Sequence, residues 1–481
     1  MGEESGDVVR RERFSGGPAR GFLSSMDADE RLFAADLAVD RAHVVMLAEQ
    51  DIIDGESASA ILAALADIER TGYDALEGED IHAAIETAVI ERVGETGGRM
   101  HTARSRNDEV ATCIRYRLRE DLLDGVEATL VLREALVEEA HAHTETTMPG
   151  YTHRQPAQPT TVGHFLSSYA QALGRDTARL CRAYDRTNRS PLGTAAFAGT
   201  PFSIDRERTA DLLGFDGVLG NSMDAVSTRD FLVEAASALV TLSVTLSGLA
   251  TDLVEFAADG YLDVDDDYAS TSSIMPQKKN PDTLELVRAS AGTASAGLNG
   301  LLTTLKGLPR AYNRDLQEAT PHIWSAVDAV VPATEVAAGA VATATWNGEA
   351  LATAAGDGFA TATGVADLLA IHGIPFRTAH EILAQAAEDG ADYAAIESAA
   401  NAVLDDSLSS YVERETVEST LDADASVASR DSVGGPAPTA VEAALGGMET
   451  DIEDDRERLT EHRERLVAAE SALETEVGGY A

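Results

Sequence analysis

Apolar residues recur at spacings of three and four positions along most of the chain, whereas the strict alternation of half-buried strands is nearly absent. The clearest example keeps a three-four alternation for about three heptads. Its apolar positions are Leu284, Val287, Ala291, Ala294, Leu298, Leu301 and Leu305. This pattern predicts a long helix inside a helical bundle.

Four further segments predict long helices of the same kind. Residues 110–122 and 162–173 carry apolar side chains at helical spacing, and residues 232–256 and 327–346 are long and rich in alanine. Small residues dominate the middle of these helices and let helix axes approach closely. We therefore predict an all-α fold built around a central bundle of long helices.

Polar and glycine-rich interruptions divide this pattern. They lie near residues 96–99 and 356–364, and a third, at residues 434–438, precedes a last charged helix. A chain of 481 residues is long enough for about three domains with cores of their own. The predicted division is an N-terminal helical domain, a central long-helix domain and a C-terminal helical domain, at residues 1–109, 110–358 and 359–481.

The charge balance excludes several classes of partner. The chain has 82 acidic and 37 basic residues, a net charge of -45, which resembles the surfaces of salt-adapted proteins and makes nucleic acid and anionic membranes poor partners.

The N-terminus lacks the apolar core of a signal peptide, and the longest uncharged run, residues 235–251, is too short to cross a membrane. Cys113 and Cys181 form no disulfide or zinc motif. We expect a soluble, cytoplasmic protein.

Lysine is so rare that its positions are informative. It occurs only at Lys278, Lys279 and Lys306, and the first two lie in STSSIMPQKKNPD, residues 270–282, directly before the clearest helix. Cations and a helix N-terminus could stabilise a serine alkoxide and make it a base. The alternative is a flexible linker with a chance lysine pair. Asp282 with Glu285 predicts a capping box at the start of the helix.

Three more polar segments carry candidate chemistry. MHTARSRND, residues 100–108, offers arginines and backbone donors to an anion, or is only the capping box formed by Ser105 and Asp108. MPGYTHRQPAQP, residues 148–159, is a proline-bounded loop in which His153 is either an acid or base or a solvated side chain. GLPRAYNRDLQ, residues 307–317, supplies groups that bind carboxylates and amides.

Metal and nucleotide sites find no support in the sequence. His141 and His143 stand two residues apart on a helix, and the aspartates of residues 263–267 lack the glycine and closing glutamate of a calcium loop. No phosphate-binding glycine motif is present. We expect neither a metal nor a cofactor.

Taken in this order, the four polar segments resemble the signature regions of the fumarase and aspartase superfamily, and most closely those of the argininosuccinate lyases. GGPARGF, EDIHAAIE, NSMDAVSTRDF and GGPAP match as well, so the resemblance covers nearly the whole chain. The serine loop with MPxKxNP is specific to the superfamily, and HTxRSRND with PGYTHxQ to this family. The chain departs from the family at Ala103 and Thr271, where glycine is usual, and at Thr320, where lysine is usual.

The resemblance implies a three-domain protomer whose long helices form a twenty-helix core in a homotetramer, with each active site drawing segments from three subunits. It implies β-elimination that cleaves argininosuccinate to arginine and fumarate in arginine biosynthesis. Two alternatives are another fumarate-releasing lyase of the superfamily, such as adenylosuccinate lyase, and a crystallin-like protein without activity.

The resemblance also assigns roles. Ser272 is the base, His153 delivers a proton to the departing nitrogen, and Lys278 with Asn280 holds the carboxylate, although which of Ser272 and His153 acts first stays open. The substrate-binding positions are Ser25, Arg106, Asn107, Thr152, Tyr312 and Gln317, and the supporting positions are His82, Arg229 and Glu285.

Overall fold

The computed structural model describes residues 18–480, and these residues confirm the predicted helical fold. The first two glycines of GGPARGF and the N-terminal segment lie outside the described residues. The α-helices are α1 (Pro18–Leu23), α2 (Met26–Asp29), α3 (Phe33–Glu49), α4 (Gly55–Thr71), α5 (Ile81–Val93), α6 (Arg106–Ala142), α7 (Val162–Thr187), α8 (Arg206–Leu212), α9 (Ser222–Ser227), α10 (Asp230–Ala258), α11 (Asp282–Leu305), α12 (Thr320–Ala342), α13 (Gly348–Gly356), α14 (Ala362–Ile371), α15 (Phe376–Glu388), α16 (Tyr393–Val403), α17 (Arg414–Thr420), α18 (Ala423–Ala428) and α19 (Pro438–Gly478).

Five long helices, α6, α7, α10, α11 and α12, pack against one another as the predicted central bundle. The start of α6 shows why a helix begins there. The Ser105 hydroxyl accepts from the backbone N–H of Asn107 at 3.3 Å, and the Asp108 carboxylate accepts from the N–H of Ser105 at 2.9 Å. The capping box predicted at this position is confirmed.

The capping box predicted for α11 is wrong. The helix begins at Asp282 itself, Pro281 occupies the N-cap position, and no side chain caps the first turn. The Asp282 carboxylate instead accepts from the Ser270 hydroxyl, and Glu285 is exposed. The acidic group that could have capped the helix therefore ties it to the segment before it.

Residues 147–161 form a β-hairpin and not the irregular loop that the prolines predicted. Strands β1 (Thr147–Thr152) and β2 (Gln155–Thr161) pair antiparallel, with Pro149 opposite Pro159. A two-stranded ribbon has two free edges, so prolines fit wherever their missing N–H would face outward. His153 and Arg154 form the tip, with φ of 55° and 60°.

Two shorter ribbons join distant parts of the chain. Strand β3 (Leu262–Asp263) pairs with β6 (Thr345–Trp346), and β4 (Ser270–Thr271) pairs with β5 (Lys279–Asn280). Trp346 therefore lies in a strand, outside the helix predicted for residues 327–346. The helix itself starts earlier than predicted, at Thr320. Pro321 is compatible with this start, because a proline in the first turn of a helix interrupts no intrahelical hydrogen bond.

The described residues form two hydrophobic cores. The larger joins the central bundle to α3, α4, α5 and α19, and the smaller lies within α14–α17. Helix α19 packs against the bundle and forms ion pairs with α6, such as Arg133 with Asp455 at 2.5 Å and Arg463 with Glu127 at 2.6 Å. The predicted division of the chain into three domains stays a prediction.

Two helical stretches, Asp230–Ala258 and Arg314–Ala342, are long and apolar enough to cross a membrane by length and composition alone. The longest uncharged run, residues 235–251, covers only part of the first stretch. In each stretch half of the apolar window is buried inside the protein. Core helices of bundles have the same composition, because such helices are apolar on most sides.

Candidate active site

Seven of the predicted site residues line one cavity of about 360 Å³. The loop between α1 and α2, the first turn of α5, the first turn of α6, the residue before α10 and the segment between α11 and α12 each contribute to its wall. The seven are Ser25, His82, Arg106, Asn107, Arg229, Tyr312 and Gln317. Thr320, the departure from the family pattern, lines the same cavity.

Ser25 is held by the segment that precedes α5. Its backbone N–H donates to the carbonyl of Glu79 at 2.9 Å, and its hydroxyl donates to Asp29 at 2.7 Å. Asp29 is buried and also accepts from the N–H of Ile81. Burial raises the pKa of the Asp29 carboxyl, although the neighbouring His82 opposes the rise.

The start of α6 is capped and also lines the cavity. The capping box fixes the backbone, while Arg106 on the cavity wall lies 3.6 Å from Asp80 and 3.5 Å from Glu86. The Asn107 side-chain amide donates to the carbonyl of Ala196 at 3.1 Å. The capped helix end therefore also carries two polar side chains into the cavity.

His82 forms the cavity wall next to a buried carboxylate. Its Nδ1 lies 2.9 Å from Oδ1 of Asp36, and both side chains are almost fully buried. Burial alone would lower the pKa of the imidazole, but the carboxylates of Asp36, Glu109 and Asp80 together, with Asp36 foremost, raise it to about 10. At neutral pH His82 is therefore an imidazolium.

Behind His82 lies a buried charged cluster that the sequence reasoning missed. Arg104 donates to Asp40 at 2.5 Å and pairs with Glu109 at 3.0 Å, and the Cys113 thiol donates to Asp36 at 3.3 Å. The oxygen atoms of Asp36, Asp40 and Glu109 lie close enough to hold a metal ion. Arg104 and His82 already place two positive charges among them.

A sequence signal for this cluster exists. Asp36, Asp40 and His43 are spaced four and three residues apart, which places them on one face of α3, and all three are buried. Polar groups on the buried face of a helix need partners, so this spacing could have indicated the cluster.

The remaining predicted residues do not line this cavity. Thr152 and His153 lie at the tip of the β1–β2 hairpin, and Thr152 lines a second cavity with Thr160, His164 and Arg430. Ser272, Lys278 and Asn280 belong to the hairpin formed by β4 and β5, and Glu285 follows in α11. One protomer thus presents the predicted residues in separate groups.

The β4–β5 hairpin holds the candidate base in a tight turn. The backbone N–H of Ser272 donates to the carbonyl of Lys278 at 3.1 Å, and the Ser272 hydroxyl accepts from the N–H groups of Ile274 and Met275 at 3.3 and 3.0 Å. Residues 272–278 form the tip of this hairpin, which is largely exposed.

The two adjacent lysines differ in their surroundings. Lys279 lies at the base of the hairpin, where its ammonium group pairs with Asp266 at 2.8 Å and Asp263 at 3.3 Å. Lys278 lies in the tip and is exposed. One lysine anchors the hairpin, and the other is placed where a ligand could reach it.

Helix lengths show how far apart these groups are. Asn107 lies at the start of α6 and the β1–β2 hairpin follows its end; the 37 residues of α6 span about 55 Å. Tyr312 follows α11 and the β4–β5 hairpin precedes it; its 24 residues span about 36 Å. Arg154 at the hairpin tip pairs with Glu255 near the end of α10, whereas Arg229 precedes that helix. The cavity and the two hairpins therefore lie at opposite ends of the bundle.

Comparison with known proteins identifies the family. Residues 25–295 match the lyase family model, and residues 359–428 match the argininosuccinate lyase C-terminal model. The chain is 67% identical to an argininosuccinate lyase of Natronomonas pharaonis over 99% of this chain and 98% of that one. The chain belongs to the argininosuccinate lyase family. The predicted resemblance is confirmed, and the chain is an enzyme of the lyase class.

A second argininosuccinate lyase and a solved structure of another lyase are also similar to this chain. An argininosuccinate lyase of Haloarcula marismortui is 64% identical over 98% of this chain and 96% of its own length. A crystal structure of EDDS lyase in complex with formate superposes with a TM-score of 0.88 at 34% identity, covering 96% of each chain. The two argininosuccinate lyases come from halophilic archaea, in agreement with the acidic composition.

Proposed function

We propose that this chain cleaves argininosuccinate to arginine and fumarate by β-elimination, in arginine biosynthesis in the cytoplasm. The observation that carries the proposal is the gathering of seven residues, far apart in sequence, around one cavity of about 360 Å³. The cavity offers an amide, hydroxyls, arginines and an imidazolium to a substrate that carries carboxylates and a guanidino group.

The elimination needs a proton to leave the carbon beside a carboxylate, which is feasible only if the dianion that forms is stabilised. We assign this stabilisation to Lys278 and Asn280, and the abstraction of the proton to Ser272. As the carbon–nitrogen bond breaks, His153 gives a proton to the departing guanidino nitrogen. The elimination requires no cofactor.

We propose that the active site forms only in a homotetramer. The cavity and the two hairpins of one protomer lie at opposite ends of helices that span tens of ångströms, so the chemistry requires ends from different protomers. Val244, Leu286 and Leu302, on α10 and α11, leave apolar side chains exposed. Four copies of the five long helices would cover these faces in a twenty-helix core.

The test is an ultraviolet absorbance assay for fumarate in molar KCl, with argininosuccinate as substrate. The parent should release fumarate and arginine, and Ser272→Ala should lose at least about a thousandfold in kcat, because no other group is placed as the base. Ser273→Ala is the matched control, since it removes the adjacent exposed hydroxyl and should keep activity near the parental value.

A folded, tetrameric parent that releases no fumarate from argininosuccinate would contradict the proposal. Adenylosuccinate would then be assayed in the same salt. Turnover of adenylosuccinate would indicate the other lyase, and inactivity on both substrates would favour the crystallin-like alternative.

A further inference from the structure

The two residues at the tip of the β1–β2 hairpin adopt a backbone conformation that their side chains disfavour. Thr152 pairs with Gln155, so His153 and Arg154 alone form the turn, and their φ angles of 55° and 60° both lie in the left-handed region. Two-residue hairpin turns of this kind favour asparagine and glycine, because other residues adopt a positive φ at a cost in free energy. Contacts outside the turn are therefore needed to hold it.

A cavity of about 540 Å³ lies where this hairpin meets α7 and α10. Residues of the hairpin, of the start of α7 and of the C-terminal end of α10 line it, and Phe165 and Phe256 are among its apolar residues. The hairpin therefore leaves space against these helices. Because few buried contacts fix such a segment, polar side chains that join it to the helices help to decide where its tip lies.

The C-terminal end of α10 presents three carboxylates to this cavity. Asp252, Glu255 and Asp259 are spaced three and four residues apart, which places them on one face of the helix end. Like charges at this spacing repel one another, and the C-terminus of a helix adds a partial negative charge. A cation is therefore favoured at this end of α10.

Arg154 is the cation that meets these carboxylates. It is the only arginine or lysine among the described residues that line the cavity, and its Nη1 pairs with Oε1 of Glu255. Burial raises the pKa of the Asp252 carboxyl and Glu255 adds to the rise, whereas the Tyr169 hydroxyl and Arg154 oppose it. The guanidinium next to His153 in the chain therefore acts on two of the three carboxylates.

We propose that Arg154 is a positioning residue, whose ion pair with Glu255 holds the hairpin tip so that His153 can give its proton to the departing nitrogen. This inference rests on the proposed function, which assigns that proton to His153. Arg154 touches no reacting atom in this scheme, and no proton leaves or enters it. Both partners of the ion pair belong to one protomer, so the pair does not depend on the proposed tetramer.

The test compares Arg154→Gln and Glu255→Gln with the parent, in molar KCl with argininosuccinate as substrate. Each variant removes the ion pair from one side. We expect kcat to fall roughly three- to tenfold while KM stays near the parental value, because a misplaced proton donor slows the chemical step without weakening binding. Arg186→Gln is the matched control. The Arg186 side chain is 69% exposed, against 75% for Arg154, and it pairs with Glu234 near the opposite end of α10, so both constants should stay parental.

Exchanging the two charges separates positioning from a general loss of structure. Arg154→Glu brings a fourth carboxylate to the end of α10 and should lower kcat more than Arg154→Gln does, by at least about tenfold. Arg154→Glu combined with Glu255→Arg restores an opposite pair at the same place and should regain most of the lost kcat. A loss caused only by disturbed packing would add up in the double variant instead of being recovered.

Hydrogen exchange of the amides in residues 147–161, followed by mass spectrometry, reports how firmly the hairpin is held without any turnover. Exchange should be faster than parental in Arg154→Gln and Glu255→Gln, and close to parental in the charge exchange. If one single variant does not fold, the other decides.

Unchanged kcat or unchanged hydrogen exchange in the single variants overturns this inference alone. So does an equal loss in Arg186→Gln, or a loss of kcat that the charge exchange does not recover. A folded parent that cleaves no argininosuccinate overturns the proposed function first, and this inference with it.

Discussion

At the residue scale, one departure from the family pattern has a measurable conformational cost. Ala103 precedes the capped start of α6 with φ of 62°, in the left-handed region that favours glycine. An L-residue in this conformation loses roughly 1–2 kcal/mol relative to its preferred backbone. The alanine therefore holds the loop in a conformation that its own side chain disfavours.

Ala103→Gly should stabilise the protein by up to about 1 kcal/mol, because relief of the strain exceeds the entropy that glycine adds to the unfolded chain. Urea unfolding in molar KCl measures the change. Ala63→Gly, at an exposed position inside α4, is the matched control and should destabilise by about 1 kcal/mol. Equal losses in both variants would show that Ala103 is not strained.

The pair of His82 and Asp36 predicts an alkaline loss of stability. The pKa of His82 is raised from 6.5 to about 10, against the effect of burial, by nearby carboxylates of which Asp36 has the largest effect. Its contribution to stability is therefore complete below pH 6.5 and is lost as the pH rises through about 10. Asp36→Asn should flatten this part of the stability curve, measured by urea unfolding at intervals over that range. A parental slope in Asp36→Asn would refute the assignment.

At the element scale, α11 and the segments on either side of it each have a different task. The β4–β5 hairpin before α11 carries the candidate base, and the helix itself packs in the bundle. The segment after α11 carries Tyr312, which lines the cavity. The hairpin is anchored at its base by Lys279 with Asp263 and Asp266, and its tip is largely exposed. An anchored base with an exposed tip suits a segment that closes over a substrate.

The three lysines should differ in effect when each is replaced by methionine. Lys278→Met should lower kcat/KM at least a hundredfold, because we place its charge on the substrate. Lys279→Met should cost only a few fold, because exposed ion pairs contribute about 1 kcal/mol or less. Lys306→Met, at the opposite end of α11, removes the same charge and should have no effect. Steady-state kinetics in molar KCl give the ranking, and equal effects of all three would contradict it.

At the scale of the whole molecule, the acidic net charge of the chain contrasts with the basic side chains that line the cavity. A net charge of -45 repels an anionic substrate at long range, but molar salt shortens the Debye length to about 3 Å. The arginines and His82 then act over contact distances inside the cavity, where the surface charge matters little. We expect the same salt to reduce repulsion between protomers and so to favour the proposed tetramer.

Mixing two inactive variants tests whether sites are shared between protomers. Ser272→Ala removes the base at one end of the bundle, and Asn107→Ala changes the cavity at the other. If sites combine ends from different protomers, tetramers dissociated in low salt and reassembled together in molar KCl should regain activity. Each variant treated alone should stay inactive. Mixed tetramers without activity would indicate that both residues act within one protomer.

The sequence by itself determined the five long helices, the capped start of α6, the acidic surface and the family, because apolar spacing, capping groups and motifs are local properties of the chain. It did not determine that Asp282 would bond to Ser270, or that the proline-rich segment would form a hairpin, since both depend on a partner strand.

Only the tertiary structure decided which predicted residues share a cavity and which lie at the opposite end of the bundle. It also brought Asp36 to His82, 46 positions apart, and left the Nε and Nη2 of Arg229 without acceptors. Pairing and burial of polar groups depend on contacts between distant segments, and helical periodicity carries no information about those contacts.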